Sequence, residues 1–243
     1  MIVVVGDPVL ALSTDGIADA SGQAVAIAIA CVRSGATVQF AGKVGDDPPG
    51  DEVLLSLTRA GIGHVAILRD AGAATAVLEA PGAIDDGDDL APTEDDEAPL
   101  GSDGETEGER ASTAGPVAAT DTAADPATRR SSSLGPEDLD LALRYLASFG
   151  VLIVGQPVSA GTLAVAVESA AYAGAHLILI DAAGDIPAVP VDDLTVLGSP
   201  AQDPDGDFAG LVGRYAAALD AGKPAAAAFR SALGAMGAES AIA

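Results

Sequence analysis

Asp203, Asp205 and Asp207 alternate around Gly206 in the run DPDGDFA, just ahead of a long apolar stretch. Three carboxylates at that spacing suggest three kinds of chemistry. They could ligate calcium, but a loop of the EF-hand type wants glycine at its sixth position and glutamate at its twelfth. Phe208 and Arg214 stand there instead. They could border an anion-binding helix N-terminus, with Asp207 as general base, although crowded carboxylates repel a phosphate. They could also cap the helix by accepting its unsatisfied amides, the role that suits this residue type best.

A second stretch with chemical character is FAGKVGDDPPGDE, residues 40–52. Gly45 and Gly50 permit a sharp loop, and Asp46 and Asp47 can cap backbone N–H groups and lead the next helix. Lys43 could meet a substrate oxygen or phosphate, or lie on the surface. No Gly-x-x-x-x-Gly-Lys-Ser/Thr loop, His-Glu-x-x-His motif or cysteine cluster is present, and no metal site is expected. His64 and His176 each begin a strand and read as surface or strand-end residues. Ser13, Ser159 and Ser199 lack a nucleophile context. Cys31 is the only cysteine, so no intramolecular disulfide can form; in its apolar run it reads as a small buried hydrophobe.

The elements that must position these residues alternate between two periods. Ile2 to Val5 predicts a buried strand, Gly22 to Ser34 a buried helix apolar nearly all round, and Thr37 to Ala41 a strand. Asp51 to Ala60 predicts a helix; His64 to Leu68 and Ala74 to Leu78 predict strands, the second an edge or lid piece. GPEDLDLALRYLASFG predicts a helix with proline and acids in its first turn. Strand Val151 to Val154, helix Gly161 to Ala173, strands His176 to Ile180 and Leu194 to Leu197, and helices Asp207 to Ala221 and Pro224 to Met236 follow. Repeated strand–helix–strand units predict one layered α/β/α domain over residues 1–243, with a mainly parallel sheet.

Asp85 to about Ser133 breaks that alternation. Residues 85–140 hold 17 acidic residues and three arginines. The stretch lacks periodic apolar residues and cannot bury enough surface to offset the entropy of ordering, so it is expected to be a disordered acidic insert. The whole chain has a formal net charge of −25, which makes nucleic acid and anionic membranes poor partners. The longest apolar run, Ala24 to Val32, is far short of the about 20 residues a membrane helix needs, and MIVVVGDPV has no basic leader. A soluble cytoplasmic protein is expected.

ASGQAVAIAIACVRSGATVQFAGKVGDDPPGDEVLLSLTRAGI resembles the first signature region of the ribokinase family, the PfkB-type carbohydrate kinases, with Gly42, Val44, Gly45, Asp46, Asp47 and Gly50 matching its loop. VLIVGQPVSAGTLAVAVESAAYAGAHLILIDAAG is similar to the family's central unit, and GRYAAALDAGKPAAAAFRSALGAMGA to its closing helix pair. The resemblance implies a ribokinase-like fold with a small β-lid through which relatives dimerise, Ala74 to Leu78 being its remnant. It implies substrate contacts at Gly22, Gln23, Gly42 and Lys43, a nucleotide-binding position at Gly206, and, in an active member, ATP, magnesium and a sugar or nucleoside acceptor.

Several family positions are altered. The substrate-binding aspartate falls on Ala11, the signature-helix asparagine on Ala26, and GSPAQD lacks both residues of Asn-x-x-Glu. The Gly-Ala-Gly-Asp element aligns with Gly206 to Ala209, which places Ala209 where the base should be; a two-residue shift would promote Asp207. The nucleotide-binding strands would have to fit between Leu197 and Gly206. The sequence is therefore read as a shortened, degenerate family member that binds a small molecule or a partner. An active ATP-dependent carbohydrate or nucleoside kinase with shifted motifs, and a structural or interaction subunit, are the alternatives.

Overall fold

A strand with aliphatic side chains at every position can be buried only if both faces of its sheet are covered. The segment β1 (Ile2–Val5) is such a strand, and its four residues are fully buried. Ile2 and Val4 enter one core, Val3 and Val5 the other. The computed structural model describes residues 1–79, 130–146, 148–181 and 193–240. In it β1 lies inside a six-stranded sheet with β4 (Val38–Gly45), β5 (Gly63–Asp70), β9 (Val151–Val154), β10 (His176–Ile180) and β11 (Leu194–Leu197), in the order β11-β10-β9-β1-β4-β5. Every pairing in it is parallel. One face packs against α1 (Gln23–Arg33), α2 (Pro48–Arg59), α5 (Asp207–Asp220) and α6 (Ala225–Ser240), and the other against α3 (Pro136–Arg144) and α4 (Ala160–Ala173).

Small residues let the layers approach. A Cβ on Gly6 would lie 2.4 Å from Ala24 Cβ, and one on Gly155 would lie 2.8 Å from it. The first turn of α1 therefore rests directly on the ends of β1 and β9. Cys31 is fully buried on the same helix, where desolvation pushes its thiol up to about 12.

A three-stranded sheet β3-β2-β7 stands beside the main one, made of β2 (Val9–Leu12), β3 (Ala18–Ser21) and β7 (Val77–Glu79). The lid is thus larger than the single expected piece. Ala74 to Leu78 is split: β6 (Ala73–Ala74) pairs with β8 (Arg130–Ser131), and β7 pairs with β2. Leu10 and Ala20 hold this sheet to the core.

Two expectations are corrected, and for His176, which does begin its strand, the surface alternative falls. The strand β4 runs on through Gly42 and Gly45, because β5 pairs with it as far as Gly45 and Asp70; FAGKVG is strand, not loop. The acidic insert cannot extend to Ser133: Arg130 and Ser131 pair with β6, and the Ser132 amide donates to Ala74. Its remainder, up to residue 129, lies outside the described residues. His176 is buried at 8% exposure; it opens β10 beneath α5, with Nε2 at 2.8 Å from Thr195 Oγ1, whose oxygen is 2.9 Å from Tyr215 OH. No helix among the described residues is long and apolar enough to cross a membrane.

Burial lowers the His176 pKa from its ordinary 6.5, and the Asp193 carboxylate only partly offsets this. The folded state then binds fewer protons at His176 than the unfolded chain. The stability this residue contributes is fully present above about pH 6.5 and is lost as pH falls through the lowered folded value. In urea titrations between pH 5 and 7, His176→Gln is expected to flatten the wild-type loss of stability on acidification.

Candidate functional site

In open parallel sheets, ligands bind beyond the carboxyl ends of the strands where the strand order changes direction. Here that place is between β1 and β9, since β4 and β5 extend the sheet to one side of β1 and β10 and β11 to the other. The first polar residues beyond four of these strands are Asp7 after β1, Gln156 after β9, Asp181 after β10 and Ser199 after β11.

Asp7 and Gln156 hold one another. The Asp7 amide donates to Gln156 Oε1 at 3.0 Å, and Gln156 Nε2 donates to the Asp7 carboxylate at 3.0 Å. The same carboxylate accepts from the Leu134 amide at 2.8 Å and from Ser133 Oγ at 3.4 Å. Burial raises the Asp7 pKa, with these hydrogen bonds pulling the other way and the Asp138 charge adding to the rise. Asp7 thus fastens the chain re-entering at residues 133–134 to the ends of β1 and β9. Asp181 has a left-handed backbone, φ 49°, and its carboxylate accepts from the amide and the hydroxyl of Ser199. A non-glycine residue at positive φ is uncommon and needs surroundings that hold it; the two bonds to Ser199 join the ends of β10 and β11.

The N-terminus of α5 opens onto the same edge. Gly206 is its N-cap at φ 72°, where a side chain would be strained. The Asp203 carboxylate accepts the amides of Phe208 and Ala209, one on each oxygen, both at 3.0 Å. Asp205 and Asp207 are exposed beside it, and Ala209 is buried at 4%. A phosphate at this helix end would have to displace the Asp203 carboxylate and then face two more. The Phe208 and Ala209 amides are thus already taken by Asp203, and Arg33, Arg214 and Lys223 line the same cavity as Asp205 and Asp207. Residues 198–206 contain no strand, so β11 passes directly into the α5 cap. Among the described residues no group of three or more His, Cys, Asp or Glu could hold a metal ion.

No protein-family model matches the sequence, and no curated protein does. Solved structures do match. A PfkB protein from Polaromonas sp. JS666 is 14% identical over 95% of this chain and 92% of that one, with a TM-score of 0.56. A fructokinase from Vibrio cholerae O395, solved in apo form, is 15% identical over 95% of this chain and 93% of that one, with a TM-score of 0.51. A protein described as Sa239 is 14% identical over 94% and 89%, with a TM-score of 0.57. The chain has the ribokinase-like fold.

Within the ribokinase-like fold the residues singled out from sequence separate into three places. Gly22, at φ 108°, and Gln23 begin α1 next to the Asp7 backbone, and Gly42 lies under Gly6, whose carbonyl oxygen would be 2.5 Å from a Cβ there. Gly22 and Gln23 are half-buried beside the end of β1, whereas Gly42 is buried. Gly206 and Asp207 stand at the α5 mouth. Lys43 points to the opposite face of the sheet, where its ammonium pairs with Asp70 and Asp138, each at 3.1 Å.

The acidic loop proves to be a clasp. Asp47 is the N-cap of α2: its Oδ1 accepts from the Gly50 amide at 2.9 Å and from Thr75 Oγ1 at 2.7 Å, and its Oδ2 from the Thr75 amide at 2.8 Å. Thr75 Oγ1 in turn accepts the Gly45 amide at 2.9 Å. A Cβ on Gly50 would fall 2.4 Å from the Gly45 carbonyl oxygen. The two glycines are required by close approach, and the aspartate by the helix end and the lid connection it holds.

Two outcomes are expected in urea denaturation. Asp47→Ala should cost about 2 kcal/mol, the upper range for a lost N-cap, because Thr75 loses its acceptor as well. Lys43→Met should cost about 1 kcal/mol by leaving Asp70 and Asp138 without their shared cation, discounted for partial exposure. Any ligand of the crevice should bind that variant as it binds the wild type.

Proposed function

We propose that this ribokinase-like chain does not transfer phosphate efficiently and acts instead as a cytoplasmic binding protein for a small molecule or a partner. The reading rests on the Asp203 carboxylate seated on the Phe208 and Ala209 amides. In kinases of this type those helix-end amides would hold the charge of the transferring phosphate. A missing general base typically lowers rate by about 10²–10⁴, and a missing anion-stabilising donor set by roughly another 10²–10³. A sugar or nucleoside is the small molecule the fold favours, and Gly22, Gln23, Gly42 and Asp7 are the groups nearest to where it would lie.

A second reading is supported by the lid. Ile17, Val77 and Leu78 are exposed on and beside its three strands at 59%, 40% and 54%, an apolar set suited to pairing with a second copy. An active kinase using Asp207 as base and Gly206 in the anion site is the remaining alternative; Asp207 opens α5 and is exposed there.

Phosphotransfer assays and thermal-shift screens with ATP, ADP, magnesium and a sugar and nucleoside panel, at low and multimolar salt, separate these readings. Binding of a sugar or nucleoside without turnover, and no ATP–magnesium stabilisation, is the expected result. Phosphorylation of any acceptor at ordinary turnover, abolished in Asp207→Asn, would establish the active kinase. Light scattering that gives a strict monomer at every salt concentration would remove the lid-mediated dimer.

A further inference from the structure

The face of the molecule away from the crevice and the lid carries a groove between α3 and α4 of about 880 Å³. Its wall is apolar, formed by Leu143, Leu146, Phe149 and Val165, and Tyr172 projects at its end with 94% of its surface exposed. Outside the groove lining, Leu141 on α3 and Tyr145 at its C-cap are also exposed, at 44% and 61%. Tyr145, Phe149 and Tyr172 are three of only seven Phe and Tyr residues in the chain. Exposed aromatic side chains at a concave apolar surface are the composition of interface anchors, because they bury much area for little lost side-chain entropy.

The rim is net acidic, with Glu137, Asp140 and Glu168 against one cation, Arg144. Arg144 is paired with Asp140, so its charge is cancelled locally. Glu137 and Glu168 border the same groove with no hydrogen bond or ion pair among the described residues. Unpaired carboxylates beside an apolar channel complement a segment that is apolar on one side and cationic on the other. The chain's net charge of −25 would draw such a segment in from a distance. The groove runs beside the 14-residue α4, about 20 Å at 1.5 Å per residue, which matches a docked helix of three to four turns.

We propose that the α3–α4 groove docks a basic amphipathic helix of a partner protein, anchored on Tyr172 and Phe149 and oriented by Glu137 and Glu168. This surface lies on the opposite side of the sheet from α1, α5 and the lid, and its role is independent of what the crevice binds.

The probe is a fluorescein-labelled 18-residue peptide of leucine and lysine with one apolar face, titrated with the full chain and followed by anisotropy. Saturable one-to-one binding is expected. Tyr172→Ser, whose side chain supports nothing in the fold, should weaken it at least tenfold. The pair Glu137→Lys and Glu168→Lys should do the same, whereas Asp15→Lys with Asp205→Lys, an equal change of charge elsewhere, should leave it within twofold. The proposal is overturned if both charge-reversed pairs lose affinity alike, if Tyr172→Ser binds like wild type, or if a leucine–glutamate peptide binds equally well. It is also overturned if tetraethylammonium displaces the peptide at equal concentration, which would make the groove a small-cation site. A dimer that sedimentation shows dissolving in Tyr172→Ser would make it a contact between copies instead.

Discussion

A helix that starts at the carboxyl edge of a parallel sheet brings unsatisfied amides and the positive end of its dipole to that edge, and something negative has to meet them. At α5 of this chain the negative group is built in. Asp203 reaches forward over Gly206 and takes the Phe208 and Ala209 amides with its two oxygens. The helix is thereby capped without a ligand. The same bonds occupy the donors that an incoming phosphate would need, and the neighbouring Asp205 and Asp207 add charge of the wrong sign. The capping of α5 and the proposed loss of phosphotransfer are one arrangement seen from two sides.

The rest of the carboxyl edge follows a similar rule, with polar side chains turned to structural use. Asp7 and Gln156 join β1 to β9 and anchor the chain at Leu134. Asp181 joins β10 to Ser199 beyond β11. Asp47 joins α2 to the lid connection through Thr75. Between these clasps Gly22 and Gln23 are half-buried at the start of α1, and Gly42 is buried beneath Gly6.

The sheet and its helices were legible in the sequence because buried parallel strands such as Ile2–Val5 and Val151–Val154 are continuous aliphatic runs, and because prolines, glycines and acids punctuate the helices. The hairpin β2–β3 was missed although Asp15-Gly16 marks its turn, since VLAL and ADAS are short and weakly patterned. Extension of β4 through Gly42 was not legible, because glycine signals a loop locally and only the pairing with β5 makes it strand. His176 looked like a strand-end residue; its burial comes from Tyr215, 39 residues later, folding over it. For the site, the capping role of the three aspartates was readable from residue type, but which one binds the amides was not. Nor could Gln156, Asp181 or Ser199 be found from motif. The available signal was positional: each is the first polar side chain past a parallel strand, buried for Gln156 and Asp181 and a half-exposed edge strand for Ser199.

The central claim is that the α5 amides belong to Asp203 and are closed to a nucleotide. The most direct measurement is to follow the ¹⁵N–¹H resonances of Phe208 and Ala209 while ATP and magnesium are added to the full chain. The account predicts that neither resonance moves at any nucleotide concentration, and that both move when Asp203 is replaced by alanine. A saturable shift of either resonance with ATP–magnesium, lost in the presence of competing phosphate, would contradict it.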